Sequence, residues 1–203
     1  MQLPFAVYVI DTETTGLDDS SNEIIELSIL RLNDEVQRTW YIKPTKYDTI
    51  TQDALRVNGH KLEDLKWQTT YGRETYRELS KVLPEIENFF MDDLEASDGR
   101  ILVGQNVVFD LGFVRRLWEK ANTLATFPFG DRPKVIDTIQ LALLLDLIKG
   151  TREQYYNLTS LVERYGVKKE KAHKADSDTR MCKNVFLAQM KLIEPAIKKA
   201  NIK

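Results

Sequence analysis

One cysteine, Cys182, is present in 203 residues, which excludes an internal disulfide framework and any cysteine-rich zinc site. Long apolar runs are missing too, since no stretch approaches the ~18 residues of a membrane helix. Met1–Pro4 passes straight into an apolar strand, leaving no room for a signal peptide. The expectation is an intracellular, cytoplasmic protein with no membrane partner. There is no repeat, low-complexity tract or Ser/Pro/Gly-rich linker, so residues 1–203 read as a single domain. An excess of basic charge is also absent. Lys and Arg number 29 against 31 Asp and Glu, a formal charge of −2, which argues against a cationic nucleic-acid coat. That exclusion is conditional, because four carboxylates occupied by divalent cations would turn −2 into +2. What is present is 42% hydrophobic residues, enough for a sizeable core.

The apolar run Phe5–Ile10 predicts a strand covered on both faces. Glu23–Leu32 is β-rich, Asn33-Asp34-Glu35 supplies turn chemistry, and Val36–Ile42 returns as a strand stopped by Pro44. These three predict an antiparallel meander. A long polar segment follows, and Tyr76–Met91 is helical in composition, with Pro84 interrupting it. Ile101–Asn106 predicts a short strand leading into a helix whose apolar residues are Val107, Leu111, Val114, Trp118 and Ala121. Val135-Ile136-Asp137 predicts a further strand, then a helix with Asp137 and Gln140 as a capping box and Gly150 at its end. Asn157 caps a helix ending before Gly166, a last helix covers Asp176–Lys191, and the basic segment 195–203 reads as a solvated tail. This order predicts an α/β fold with a mixed, five-stranded central sheet flanked by helices.

Carboxylates stand where burial should forbid them. Asp11 and Glu13 share one face of the first strand. Asp110 borders the apolar stripe of its helix, with Val114 and Leu117 at i+4 and i+7. Asp178 stands likewise with Cys182 and Val185. Alone, Asp110 also reads as a cap and Asp178 as an acid favouring the helix dipole. Like charges on one buried face repel, however. A cluster of hard oxygen ligands for two Mg²⁺ or Mn²⁺ accounts for all four at once. Two such ions about 3.5–4 Å apart clamp a phosphodiester. His173 lies five residues before Asp178, which places it in the loop leading into the helix, and imidazole suits proton transfer near neutral pH. His60 reads as a loop residue.

"DTETTG", "QNVVFDLGF" and "HKADSD", in this order, resemble the three motifs of the DEDDh (DnaQ-like) 3′→5′ exonucleases, the family of the proofreading epsilon subunit of DNA polymerase III. The likeness runs from residue 7 to about residue 186, with weaker similarity at "ITQDALRVNG" and "YNLTSLVERYGV". The resemblance implies a ribonuclease H-like (RNase H-like) fold and two-metal hydrolysis that releases nucleoside 5′-monophosphates from a 3′ end. It assigns Asp11, Glu13, Asp110 and Asp178 to the metals and His173 to the general base. Thr14, Thr15, Gly16, Asn106 and Phe109 fall on its substrate contacts, Phe109 as a ring beside the terminal base. Gln105-Asn106 and Asn58-Gly59 depart from the family's usual His-Asn and His-Gly, at positions where substrate contacts are expected.

The first reading is therefore a nuclease for single-stranded or frayed 3′ ends, DNA before RNA, working alone or as a polymerase subunit. An RNA-trimming or oligoribonuclease-like enzyme is the alternative within the class. An inactive nucleic-acid or polymerase-binding module is the alternative outside it, opposed by five intact catalytic positions. Metal-dependent phosphatase chemistry shares the ions but not the His-x-Ala-x-x-Asp spacing.

Overall fold

Strand β1 (Ala6–Thr14) is apolar on both faces over its first half, and such a strand is stable only at the centre of a covered sheet. The computed structural model of the protein, which describes residues 3–67, 69–70, 73–93 and 95–199, places it there. β2 (Ile24–Arg31) and β3 (Val36–Tyr41) extend the sheet on one side as an antiparallel meander, and β6 (Arg100–Gly104) and β7 (Lys134–Asp137) extend it on the other in parallel. The order is β3-β2-β1-β6-β7, the mixed five-stranded sheet that the sequence predicts.

Seven helices are described: α1 (Gln52–Asn58), α2 (Leu62–Trp67), α3 (Leu79–Met91), α4 (Val107–Lys120), α5 (Thr138–Lys149), α6 (Leu158–Arg164) and α7 (Ala175–Lys199). Helices α3 and α4 cover the face of β1 that carries Ala6, Tyr8 and Ile10, with Ile86, Phe89, Phe90, Val114 and Trp118 buried there. Tyr8 packs on Phe89, Phe90 and Phe129, with ring centroids 6.0, 4.7 and 6.0 Å away. On the opposite face Val7 and Val9 meet Cys182 and Phe186 of α7. The alternation of strand side chains thus feeds two cores, one on each side of the sheet.

Several expected elements differ. The polar segment after Pro44 folds into α1, α2 and a small hairpin of β4 (Thr69–Thr70) and β5 (Arg73–Glu74). Its local signals are a cap and a stop: the Thr51 side chain accepts from Ala54 N–H, and Gly59 ends α1 with φ of 72°. Tyr76 precedes α3, which begins at Leu79 and runs through Pro84 because burial of Val82, Leu83, Ile86, Phe89 and Phe90 outweighs the lost backbone bond. β6 stops at Gly104, since Asn106 turns the chain with φ of 59°. Helix α7 is longer than Asp176–Lys191 at both ends and includes Pro195; the residues from 188 to 194 are good helix formers without glycine. Most of the expected tail is therefore helical, and 200–203 lie outside the described residues.

Candidate active site

β6 pairs with β1 only along Ala6–Val9, so the C-terminal half of β1 has no strand neighbour on that side. The start of α4 occupies the space. Asp137, at the end of β7, accepts from the N–H groups of Asn106 and Val107 at 3.2 and 3.1 Å and from Ile139 N–H at 2.9 Å, so one carboxylate caps both α4 and α5. With α4 fixed this way, Asp110 is buried against β1, where the Thr12 hydroxyl donates to its Oδ1 at 2.7 Å.

Asp11 and Glu13 project from the opposite side of β1, toward α7. There Asp178, in the first turn of α7, completes a group: one carboxylate oxygen from each of Asp11, Glu13 and Asp178 lies within 4.8 Å of the others. Asp110 stands outside that triplet. It reaches Asp11 from the α4 side of the sheet, around the end of β6, and is the strongest charged neighbour acting on Asp11. Four acids from three elements converge, as three plus one.

Electrostatically the site is overloaded. Burial and then the charges of Asp110, Asp178, Glu13 and Glu26 push Asp11 well above the carboxylate range. Burial, Asp178 and Glu26 push Glu13 up to about 8, against a smaller downward pull from Lys174. Burial raises Asp110 to about 7 despite the Thr12 hydrogen bond, and burial raises Asp178 despite a bond from His173 N–H. Asp178 Oδ1 is shielded from solvent and has no hydrogen-bond partner among the described residues. An oxygen-only donor set with an unsatisfied buried oxygen and proton affinities this high fits hard divalent cations.

His173 lies in the loop before α7 with φ of 62°, its side chain exposed. Its backbone N–H donates to Asp178 Oδ2 at 2.9 Å, which ties the loop that carries this residue to the acid cluster. The loop is pinned on both sides, by Ser177 Oγ on Lys171 and Lys174 carbonyls and by Gln37 Nε2 on the Asp176 carbonyl.

A cleft of about 490 Å³ opens beside Glu13, lined among others by Thr14, Leu17, Val57, Asn58 and Phe109. Leu17 and Val57 are exposed apolar side chains, 84% and 52% accessible, which sequence reasoning passed over. Phe109 packs at a tilt against Phe113, with centroids 4.9 Å apart. Thr15 is fully buried, and its hydroxyl accepts from Glu23 N–H at 2.9 Å. Gly16 is packed so closely that a Cβ there would lie 2.4 Å from Asn22 Oδ1. Asn106 is exposed at the start of α4. The two departures from the family pattern have internal partners. Gln105 donates to the Tyr156 carbonyl at 2.7 Å and accepts from the Thr138 hydroxyl at 2.5 Å. Asn58 donates to the Thr14 carbonyl at 3.1 Å and so supports the cleft wall. His60 does sit in a connection, but its ring is buried between Glu26 and Tyr76.

A family model described as "Exonuclease" matches residues 8–186, and the chain belongs to this family of RNase T-type exonucleases. Among curated proteins, the PolC-type DNA polymerase III of Thermotoga petrophila is 32% identical over 189 residues, covering 92% of this chain and 12% of the polymerase. The 3′-5′ exonuclease DinG of Staphylococcus saprophyticus is 27% identical, covering 84% of this chain and 16% of that protein. The chain thus spans only a small part of the relatives it matches. Among solved structures, Escherichia coli exonuclease I in complex with a dT13 oligonucleotide superposes with a TM-score of 0.71 at 16% identity, over 97% of this chain and 43% of that one. The shared fold is the RNase H-like one. No helix among the described residues is long and apolar enough to cross a membrane.

Proposed function

We propose that this chain is a divalent-cation-dependent 3′→5′ exonuclease that hydrolyses the terminal phosphodiester of single-stranded or frayed DNA and releases nucleoside 5′-monophosphates. The observation that carries the reading is the triplet Asp11, Glu13 and Asp178 within 4.8 Å, with Asp110 beside it. Two Mg²⁺ or Mn²⁺ held by these four carboxylates would polarise the scissile phosphate and offset the charge that builds on its oxygens. The remaining work falls to the chain's own groups. Thr12 fixes the Asp110 carboxylate, and the His173 N–H fixes that of Asp178. The exposed His173 imidazole takes the proton of the attacking water and passes it to solvent. Leu17, Val57 and Phe109 offer apolar contact to the terminal base without reading its identity, and Thr14 lines the same cleft. The preference for DNA rests on the relatives, whose names are those of a DNA polymerase and of an exonuclease crystallised with oligo-dT.

The test is a time course on a 5′-labelled oligonucleotide with Mg²⁺, Mn²⁺ or EDTA, run on matched DNA and RNA. A ladder shortening from the 3′ side, abolished by EDTA and faster on DNA, is expected. Faster trimming of RNA would select the exoribonuclease reading, and binding without cleavage under all conditions would select an inactive binding module.

A further inference from the structure

Glu26 belongs to none of the three motifs, yet it stands in β2 directly opposite Glu13 in the β1–β2 register. Its side chain has no solvent exposure. One oxygen, Oε2, is engaged: it accepts from His60 Nε2 at 2.9 Å and lies 4.0 Å from Lys174 Nζ. The other, Oε1, is shielded from solvent and has no hydrogen-bond partner among the described residues. A buried carboxylate oxygen without a donor is strongly unfavourable, so a donor is to be sought.

The surroundings narrow the choice. Charge from Glu26 acts on Asp11, Glu13 and Asp178, so the space it faces is walled by acids, which donate nothing once a cation has displaced their protons. The hydration shell of a divalent cation donates in all directions. The far side of the carboxylate is meanwhile fixed. His60 Nδ1 lies 2.5 Å from the Tyr76 hydroxyl, and both side chains are buried, so a Tyr76–His60–Glu26 chain sets the ring and hence Oε2. Such outer partners orient the ligands of metal centres in general.

We propose that Glu26 is a positioning residue of the cation centre: its free Oε1 accepts from the hydration shell of a cation held by Glu13 and Asp178, while His60 and Tyr76 hold the carboxylate in place. Through Lys174 the same carboxylate steadies the loop that carries His173. The inference rests on the reading above that Asp11, Glu13 and Asp178 bind divalent cations.

The experiment is a Mn²⁺ titration of the full chain, with free Mn²⁺ followed by its electron paramagnetic resonance signal at fixed pH. Wild type is compared with Glu26→Gln, His60→Asn, His60→Gln and, as a control, Asp11→Asn. Glu26→Gln keeps the shape but presents an amide, and it should weaken Mn²⁺ binding by about 10- to 100-fold. His60→Asn removes the donor to Oε2 and should weaken binding in the same direction. His60→Gln returns a donor near the Nε2 position and should recover part of the loss. Should Glu26→Gln fail to fold, the His60 pair still decides the matter. Wild-type Mn²⁺ affinity in both Glu26→Gln and His60→Asn, with only the melting temperature changed, would reduce the network to a packing role. If wild type itself binds no Mn²⁺, or Asp11→Asn binds it equally well, the nuclease reading fails first.

Discussion

Replacing Glu13 by glutamine should stabilise the protein when divalent cations are withheld, and the size of the effect follows from where Glu13 sits. The folded side chain keeps its proton up to about 8, against 4.5 for the free group. Between those values the unfolded chain gives up the proton first and so binds fewer protons than the folded one. Stability of the cation-free protein therefore falls as pH rises, by about 1.4 kcal/mol per pH unit for each such site. From 4.5 to 7 Glu13 alone costs about 3 kcal/mol by this linkage. The loss is absent in Glu13→Gln, which cannot ionise. At pH 7 in EDTA the variant should exceed wild type by about 2–3 kcal/mol, or about 5–10 °C in Tm for a chain of this length. At about pH 4.5 the two should coincide, because Glu13 is then protonated in the folded state and largely so in the unfolded one. Added Mn²⁺ should invert the order. Wild type gains about 2.7 kcal/mol at a cation concentration 100 times its Kd, and the variant, short of one ligand, gains less. Urea melts in EDTA at pH 4.5, 7 and 8.5, repeated with Mn²⁺, measure all of this. A variant no more stable than wild type at pH 7 without cations would refute the claim that repulsion and burial dominate this site. So would a wild-type stability that climbs from pH 5 to 8.

Asp11→Asn should reduce release of nucleotides from a 5′-labelled oligonucleotide by at least about 10³-fold while leaving the circular dichroism spectrum unchanged; wild-type turnover would remove Asp11 from the mechanism. Because Asp110 and Glu13 hold protons up to about 7 and about 8, cations must displace those protons, so Mn²⁺ affinity should rise between pH 6 and 8.5 in a direct titration. Activity should fall below about pH 6, where the protons held by Asp110 and Glu13 keep cations out, and a flat rate down to pH 5 would contradict that competition. Asp137→Ala should destabilise the fold by about 2–3 kcal/mol in urea, since three backbone N–H groups at the starts of α4 and α5 lose their acceptor; an effect below about 0.5 kcal/mol would show that water replaces it.

The sheet was legible because period-two and fully apolar runs mark strands directly, and the meander and parallel additions follow from turn chemistry and strand–helix alternation. What sequence patterning left out is informative about how the site is built. Asp110 was recognisable as an acid on an apolar face, but its approach from the opposite side of the sheet depends on β6 ending four residues along β1, which no local pattern encodes. Glu26 was hidden in plain view. In a strand buried on both faces, "IIELSIL" offers an alternation of Glu26 and Ser28 that can be read as a solvent face, whereas the register sets Glu26 against Glu13 and Ser28 against Asp11. Polar alternation in a central strand therefore marks the wall of a site, because that strand has no solvent face to spend it on. His60 escaped for the same reason: its partner is 34 residues away, and only the fold supplies it. The acids that repel are readable one by one from their misplacement, while the groups that hold them in place are readable only once the strands are paired.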